Sequence, residues 1–242
     1  TSAFSHYVDP TVVQQIADTS ENIVLGGEER GLTLLFSDIA GFTTLSEKLK
    51  PLDLFTLMSA YLSKMTDILT SHGGTLDKYI GDAVMGFYGA PISQVDHAKR
   101  ACTTALAMRE KLPEFNAGLV QQGLDPIDFR VGIASGKVMV GNIGSSDRFN
   151  YTVLGDTVNL ASRLEGTSKE YGTHILVAEP TMLATKEFFH FRQVDRIAVK
   201  GKTEGIAIYE LIAPITDTLD LSIYRRYEAG LEQYFAEKYL EA

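Results

Sequence analysis

An α+β fold of ferredoxin-like type, with a β-α-β-β-α-β core, further strands after it and a helix appended at each end, is predicted by three features of the sequence. Residues 51–72 and 95–118 each repeat apolar side chains at helical spacing. An apolar run at 31–38 precedes the first of these helices. Between the two, residues 75–88 carry the pattern of a β-hairpin.

Taken in order, the chain opens on a connector. Asp9 and Pro10 fit an N-cap and first helical position, and Val12, Val13 and Ile16 form a short apolar stripe. Gly26, Gly27, Glu28, Glu29 and Arg30 are expected to break this helix before the first strand, where Leu32, Leu34, Leu35 and Phe36 make a buried run. In the first long helix Leu54, Phe55, Leu57, Met58, Tyr61, Leu62, Met65, Ile68 and Leu69 recur at helical spacing, and Gly73 and Gly74 stop it. The hairpin places Gly81 and Asp82 at its turn. Ala98, Ala101, Cys102 and Ala105 line the inner face of the second long helix, small enough for close packing on a sheet.

Two strands are expected at 129–134 and 137–143, joined near Gly136, with a short third at 151–154. Gly155 and Asp156 start a helix through about residue 167, on which Asn159 and Arg163 sit four apart and share one face. Strands near 175–177, 191–197 and 206–211 complete the order, with a loop Val199, Lys200, Gly201, Lys202 before the last. Residues 224–240, with Tyr227, Leu231, Tyr234, Phe235 and Leu240, read as a helix whose docking the sequence leaves open. There is no internal repeat and no low-complexity linker. The expected division is a connector helix at 1–29, one domain at 30–212 and a helical tail at 213–242.

The 242 residues, 45% of them hydrophobic, suit an ordinary globular core. With 31 acidic and 22 basic residues the net charge is −9, which argues against a general nucleic-acid binder but leaves room for a local basic pocket. A single cysteine, Cys102, excludes an intrachain disulfide and reads as a small core residue in a reducing compartment. No run of about 18 apolar residues is present, so no membrane span is expected. The first residue, Thr1, fits a processed chain or a piece of something longer.

The chemistry concentrates where the first strand turns into a helix, at Phe36-Ser-Asp-Ile-Ala-Gly-Phe-Thr43. Backbone N–H groups at such a turn, around Gly41, Phe42 and Thr43, can hold phosphate, and a carboxylate at the strand end, Asp38, can hold a divalent cation. A solvated turn aspartate is the plainer alternative. If the fold brings the hairpin tip to the strand end, Asp38 and Asp82 become a carboxylate pair able to hold two divalent ions for phosphoryl chemistry.

Four motifs in this order resemble the class III nucleotidyl cyclase catalytic domain, over roughly residues 30–212. They are the 36–43 stretch, Asp-Lys-Tyr-Ile-Gly-Asp-Ala-Val-Met at 77–85, Gly-Asp-Thr-Val-Asn-Leu-Ala-Ser-Arg-Leu at 155–164 and Val-Lys-Gly-Lys at 199–202. The resemblance implies a ferredoxin-like core with extra strands, working as a head-to-tail homodimer with its active sites at the interface. It implies two Mg2+ or Mn2+ ions on Asp38 and Asp82, with Ile39 in the same metal set. Asn159 would orient the ribose, Arg163 would stabilise charge on the α-phosphoryl oxygens, and Lys200 would hold the terminal phosphates. The hairpin would serve two sites, its metal aspartate facing one and its base-reading Lys78 the other.

Base choice is less direct. Lys78 can donate to adenine N1 or to guanine O6. The second base-reading position falls on Thr152, where many adenylyl cyclases have Asp and guanylyl cyclases usually have Cys. Its hydroxyl can accept from adenine N6, and guanylyl cyclases tend to carry Glu in place of Lys78, so the expectation is ATP and an adenylyl cyclase. The rivals are a guanylyl cyclase and a catalytically silent dimerisation or nucleotide-binding module. Thr152 also resembles a subgroup described as bicarbonate-responsive. The opening segment at 4–16 resembles the connector that follows an upstream sensor, often membrane-bound, in bacterial cyclases; the domain itself is expected in the cytoplasm.

Overall fold

The computed structural model describes residues 25–145, 148–198 and 205–236. The connector helix around Asp9 to Ile16, the loop carrying Lys200 and Lys202, and Leu240 of the tail lie outside the described residues. The strands are β1 (Gly26–Ile39), β2 (Thr75–Ile80), β3 (Ala83–Tyr88), β4 (Phe129–Gly144), β5 (Phe149–Leu154), β6 (Ile175–Ala178), β7 (Phe189–Ile197) and β8 (Ile206–Pro214). The helices are α1 (Phe42–Lys48), α2 (Pro51–Ser71), α3 (His97–Gln121), α4 (Asp156–Tyr171), α5 (Glu179–Thr185) and α6 (Ser222–Phe235). The expected β-α-β-β-α-β order is present, and the strands form one sheet in the order β2-β3-β1-β4-β6-β8-β7, with β5 paired to β4.

Alternation along the strands builds two cores, one on each face of the sheet. Leu35 and Ile39 of β1 and Val131 and Ile133 of β4 pack under Tyr61, Met65 and Leu69 of α2 and Ala101, Cys102 and Ala105 of α3. Leu32, Leu34 and Phe36 of the same β1 pack on the opposite face with Leu160, Ala161 and Leu164 of α4. A central strand covered on both faces reads as a continuous apolar run, which is why 31–38 shows no polar alternation. Each fully buried leucine here is worth about 2 kcal/mol of transfer free energy. Tyr61 and Met65 are fully buried and Met58 is packed against the core, so these residues are core rather than surface. Burial pushes the Cys102 thiol up to about 12, consistent with a packing role.

Three elements differ from the sequence expectation. β1 begins at Gly26 instead of 31, because Gly26 to Arg30 pair with Asn142 to Val138 of β4. The same long pairing, running from Gly26 opposite Asn142 to Ile39 opposite Phe129, makes β4 one strand where two were expected around Gly136. The short α5 was not expected; its only local signal is a proline in the first turn, Pro180. The tail helix α6 docks on β7. Tyr227 Oη donates to the Val194 carbonyl at 3.1 Å, the Gln193 N–H donates to Glu228 at 2.8 Å, and the Arg192 guanidinium lies 4.7 Å from the Tyr227 ring centre.

Candidate active site

β1 lies between β3 and β4, so its C-terminal end is flanked by the tip of the β2–β3 hairpin and by the start of β4. The antiparallel register sets Ser37 opposite Val84, and two further residues bring Asp82 alongside Ile39. Asp82 Oδ2 accepts the Ile39 N–H at 3.2 Å, which closes the hairpin tip onto the strand end. Asp38 and Asp82 thereby meet, as the sequence reading requires. After Ile39 the chain turns through Gly41, whose φ of 72° is left-handed and favours glycine, and enters α1 at Phe42 and Thr43.

Two charged neighbours of this pair were not anticipated. Arg130 of β4 sits opposite Asp38 in register, with Nη2 3.8 Å from Asp38 Oδ2 and Nε donating to Glu165 at 2.9 Å. Glu165 reaches the strand because α4 rests directly on Gly132. A Cβ there would lie 2.1 Å from the Ala161 carbonyl oxygen and 2.3 Å from the Glu165 nitrogen. The available signal was a lone arginine inside the apolar run Phe-Arg-Val-Gly-Ile-Ala at 129–134. A charge in a buried strand asks for a partner.

One guanidinium faces Asp38 and Glu165 while Asp82 lies against Asp38, so three carboxyl groups with one counter-charge leave excess negative charge. Asp38 is pushed up to about 8, first by burial, then by its hydrogen bond to Asp82 and the charges of Asp82 and Glu165, with Arg130 opposing. Burial also raises Glu165, against the pull of Arg130. Asp38 Oδ1 is buried and has no hydrogen-bond partner. A half-neutralised carboxylate pair with an orphaned oxygen fits a cation. Among the described residues no three His, Cys, Asp or Glu side chains are grouped as a metal cage. Two carboxylates completed by substrate phosphates is the arrangement typical of Mg2+, which seldom takes an all-protein cage.

A second cluster lies on β2 and β5. Lys78 Nζ donates to Thr152 Oγ1 at 3.2 Å, and Thr152 Oγ1 donates to Asp77 Oδ2 at 2.6 Å. Lys78 Nζ also lies 3.0 Å from Asp77 Oδ1. That approach is an ion pair, since Oδ1 has no hydrogen-bond partner of acceptable angle. Lys78 and Thr152 thus come together as expected, and Asp77, which joins them, was not singled out.

On α4, Asn159 and Arg163 are exposed. Arg163 Nη1 donates to the carbonyl of Ala198, two positions before Lys200 in the sequence, at 3.0 Å. It is not paired to Glu165, which holds Arg130 instead. Arg163 and Glu165 are two residues apart, about 200° around the helix, so Glu165 faces Asp38 while Arg163 points elsewhere. Among the described residues, neither Asn159 nor Arg163 touches the Asp38–Asp82 pair.

The family model described as adenylate and guanylate cyclase catalytic domain matches residues 27–213. Adenylate cyclase 1 of Rhizobium meliloti (strain 1021) is 34% identical over 212 residues, covering 88% of this chain and 32% of that protein. Among solved structures, the adenylyl cyclase CyaB from P. aeruginosa aligns with a TM-score of 0.74 at 39% identity, over 81% of this chain and 100% of that one. The guanylyl cyclase Cya2 aligns with a TM-score of 0.71 at 36% identity, again over 81% and 100%. The chain spans less than half the length of the first curated relatives it matches. In sequence and in fold, the chain belongs to the adenylate and guanylate cyclase catalytic domain family, the class III nucleotidyl cyclases.

Proposed function

We propose that this chain is an adenylyl cyclase catalytic domain that converts ATP to 3′,5′-cyclic AMP and pyrophosphate. The observation that carries the reading is the pairing of Asp38 with Asp82 at one end of the sheet while Lys78 pairs with Thr152 in a separate cluster. One cluster suits a metal–triphosphate and the other the edge of a base. Relatives of both base specificities align at comparable identity, so ATP rests on Lys78 and Thr152.

In the reaction the ribose O3′ bonds to the α-phosphorus, the bond from that phosphorus to the pyrophosphate oxygen breaks, and the 3′-hydroxyl proton leaves. Two Mg2+ or Mn2+ ions, held by Asp38, Asp82 and the only metal-binding group Ile39 possesses, its backbone carbonyl, would acidify the 3′-hydroxyl and neutralise the leaving pyrophosphate. The backbone amides of Gly41, Phe42 and Thr43 offer donors to phosphate oxygens at the strand-to-helix turn. Asn159 orients the ribose. Arg163 supplies a fixed cation for charge developing on the α-phosphoryl oxygens, a term worth roughly 100-fold in rate, and Lys200 binds the terminal phosphates.

Because Glu165 and Arg163 point to different sides of α4, one chain holds two incomplete half-sites. A symmetric homodimer completes both, each pairing the Asp38–Asp82 end of one protomer with the Lys78, Thr152, Asn159 and Arg163 of its partner. Bicarbonate sensitivity rests only on the resemblance at Thr152, and turnover that does not change with bicarbonate at fixed pH removes it.

The test is product release from the purified chain with Mn2+ and either ATP or GTP, over a protein concentration series. Cyclic AMP formation that rises more steeply than protein concentration is expected. Cyclic GMP instead overturns the base assignment. ATP and Mn2+ binding without pyrophosphate release establishes the silent module.

A further inference from the structure

A threonine hydroxyl is both donor and acceptor, so Thr152 alone cannot choose between an amino group and a carbonyl at position 6 of a purine. The structure assigns that choice to Asp77. We propose that Asp77, which does not reach the base itself, is the positioning residue that fixes Thr152 as a hydrogen-bond acceptor and thereby selects adenine over guanine. This rests on the adenylyl cyclase reading and deepens it.

The valences can be counted. The Thr152 hydrogen is committed to Asp77 Oδ2 at 2.6 Å, and one of its two lone pairs is taken by Lys78 Nζ at 3.2 Å. What remains to face a ligand is a lone pair. Lys78 spends one hydrogen on Thr152 and lies 3.0 Å from Asp77 Oδ1 as an ion pair, and an ammonium has three hydrogens, so it remains a donor outward. A donor beside an acceptor matches adenine, whose N1 accepts and whose N6 amino group donates. At the same two positions guanine presents a donor at N1 and an acceptor at O6, so it opposes the pair at both and fits only after sliding along the edge until Lys78 meets O6.

Asp77 is built for this task. The register of β2 on β3 slips between Leu76 and Lys78, which leaves Asp77 as the extra residue of a β-bulge. A bulge breaks the alternation that sends neighbours to opposite faces, and here both Asp77 and Lys78 reach Thr152. The Asp77 side chain is 1% exposed and Thr152 is 6% exposed, so water does not compete for the hydroxyl proton. A buried carboxylate that only accepts, held against an ammonium that only donates, leaves the hydroxyl between them one orientation.

Asp77→Asn inverts the pattern. Lys78 can face only the amide oxygen of the new side chain, so the amide NH2 turns to Thr152. The hydroxyl then accepts on both lone pairs and points its hydrogen outward, towards the base. Steady-state kinetics with ATP, GTP and purine riboside triphosphate, which lacks any group at position 6, read this directly. The expected result is that Asp77→Asn raises the KM for ATP about tenfold with a smaller change in kcat, and that purine riboside triphosphate becomes at least as good as ATP. The ATP to GTP ratio of kcat/KM falls by a similar factor. On the unaltered protein, which guards against a variant that folds poorly, purine riboside triphosphate has a KM about tenfold above that of ATP, because the Thr152 lone pair goes unpaired. An equal loss with every nucleotide in Asp77→Asn, or equal KM values for ATP and purine riboside triphosphate in the unaltered protein, overturns the assignment to Asp77 while leaving the adenylyl cyclase reading intact. Preference of the unaltered protein for GTP overturns both.

Discussion

The two polar clusters on this sheet treat charge in different ways. Around Asp38, the carboxyl groups of Asp82 and Glu165 crowd a third, one guanidinium serves Asp38 and Glu165, one buried oxygen has no hydrogen-bond partner, and a proton is retained to about pH 8. Around Thr152, a single carboxylate, a single ammonium and one hydroxyl lie within 2.6 to 3.2 Å of one another, charge balanced by charge, with Asp77 Oδ1 held by the ammonium as an ion pair and not by a hydrogen bond. In the proposed reading a cation completes the first cluster. The second is organised before any ligand binds. A metal site gains by holding its carboxylates in excess, since the cation then removes a repulsion as it binds, whereas a base reader gains by having its hydrogens already fixed.

Experiments can break this contrast. The largest expected effect is at the Asp38 cluster, where Asp38→Ala removes a proposed metal ligand and is expected to lower cyclic nucleotide formation by more than about 100-fold. It should leave the protein folded, with circular dichroism as the check.

The next effect is on stability. Asp38 is raised from 3.8 to about 8 in the folded protein, so the folded state holds its proton more tightly than the unfolded chain does. The stabilisation that follows is full below the unfolded value and is lost as pH rises through about 8, and Glu165, also raised, adds in the same direction. The melting temperature of the metal-free protein is therefore expected to fall across this window. Saturating Mn2+, which favours the ionised pair, should flatten the fall. A metal-free melting temperature that climbs from pH 5 to 8 would count against the whole electrostatic picture.

Arg130→Ala removes the one counter-charge and should cost the metal-free protein roughly 2–3 kcal/mol in denaturant unfolding, and less when Mn2+ is present. At the Thr152 cluster a small change should do little. Thr152→Ser keeps the hydroxyl and loses one buried methyl group, so about 1 kcal/mol of stability is expected to go while the preference for ATP over GTP stays. Loss of that preference would show that the methyl group, and not the oriented hydroxyl, reads the base.

The contrast also explains what could be read from the sequence. Asp38 stands out because it lies three residues before the turn glycine Gly41, and Asp82 because it follows Gly81 at a hairpin turn, and a hairpin beside a central strand brings the two together by register. Lys78 and Thr152 were found through the family motifs. Asp77, Arg130 and Glu165 were not. Asp77 looks like an ordinary alternating strand residue until the bulge turns it inward, and a one-residue slip in pairing leaves no mark in the sequence. Glu165 looks like a helix-surface acid because its approach to Arg130 depends on the absence of a side chain at Gly132, 33 positions away in the chain. β4 is longer than its sequence suggests for a related reason. Gly136 resembles a break, and only its long partner β1 keeps the strand continuous.

The central claim is that each chain carries two unlike half-sites that only a second copy completes. Mixing two variants tests it most directly: Asp38→Ala, which spoils the charged half, and Arg163→Ala, which spoils the other. Each alone is expected to be inactive. Mixed in equal amounts and allowed to exchange subunits, half the dimers are mixed and each contains one intact site, so about a quarter of the unaltered activity should return. A mixture as inactive as its components, with mixed dimers demonstrated by mass spectrometry, would contradict the account.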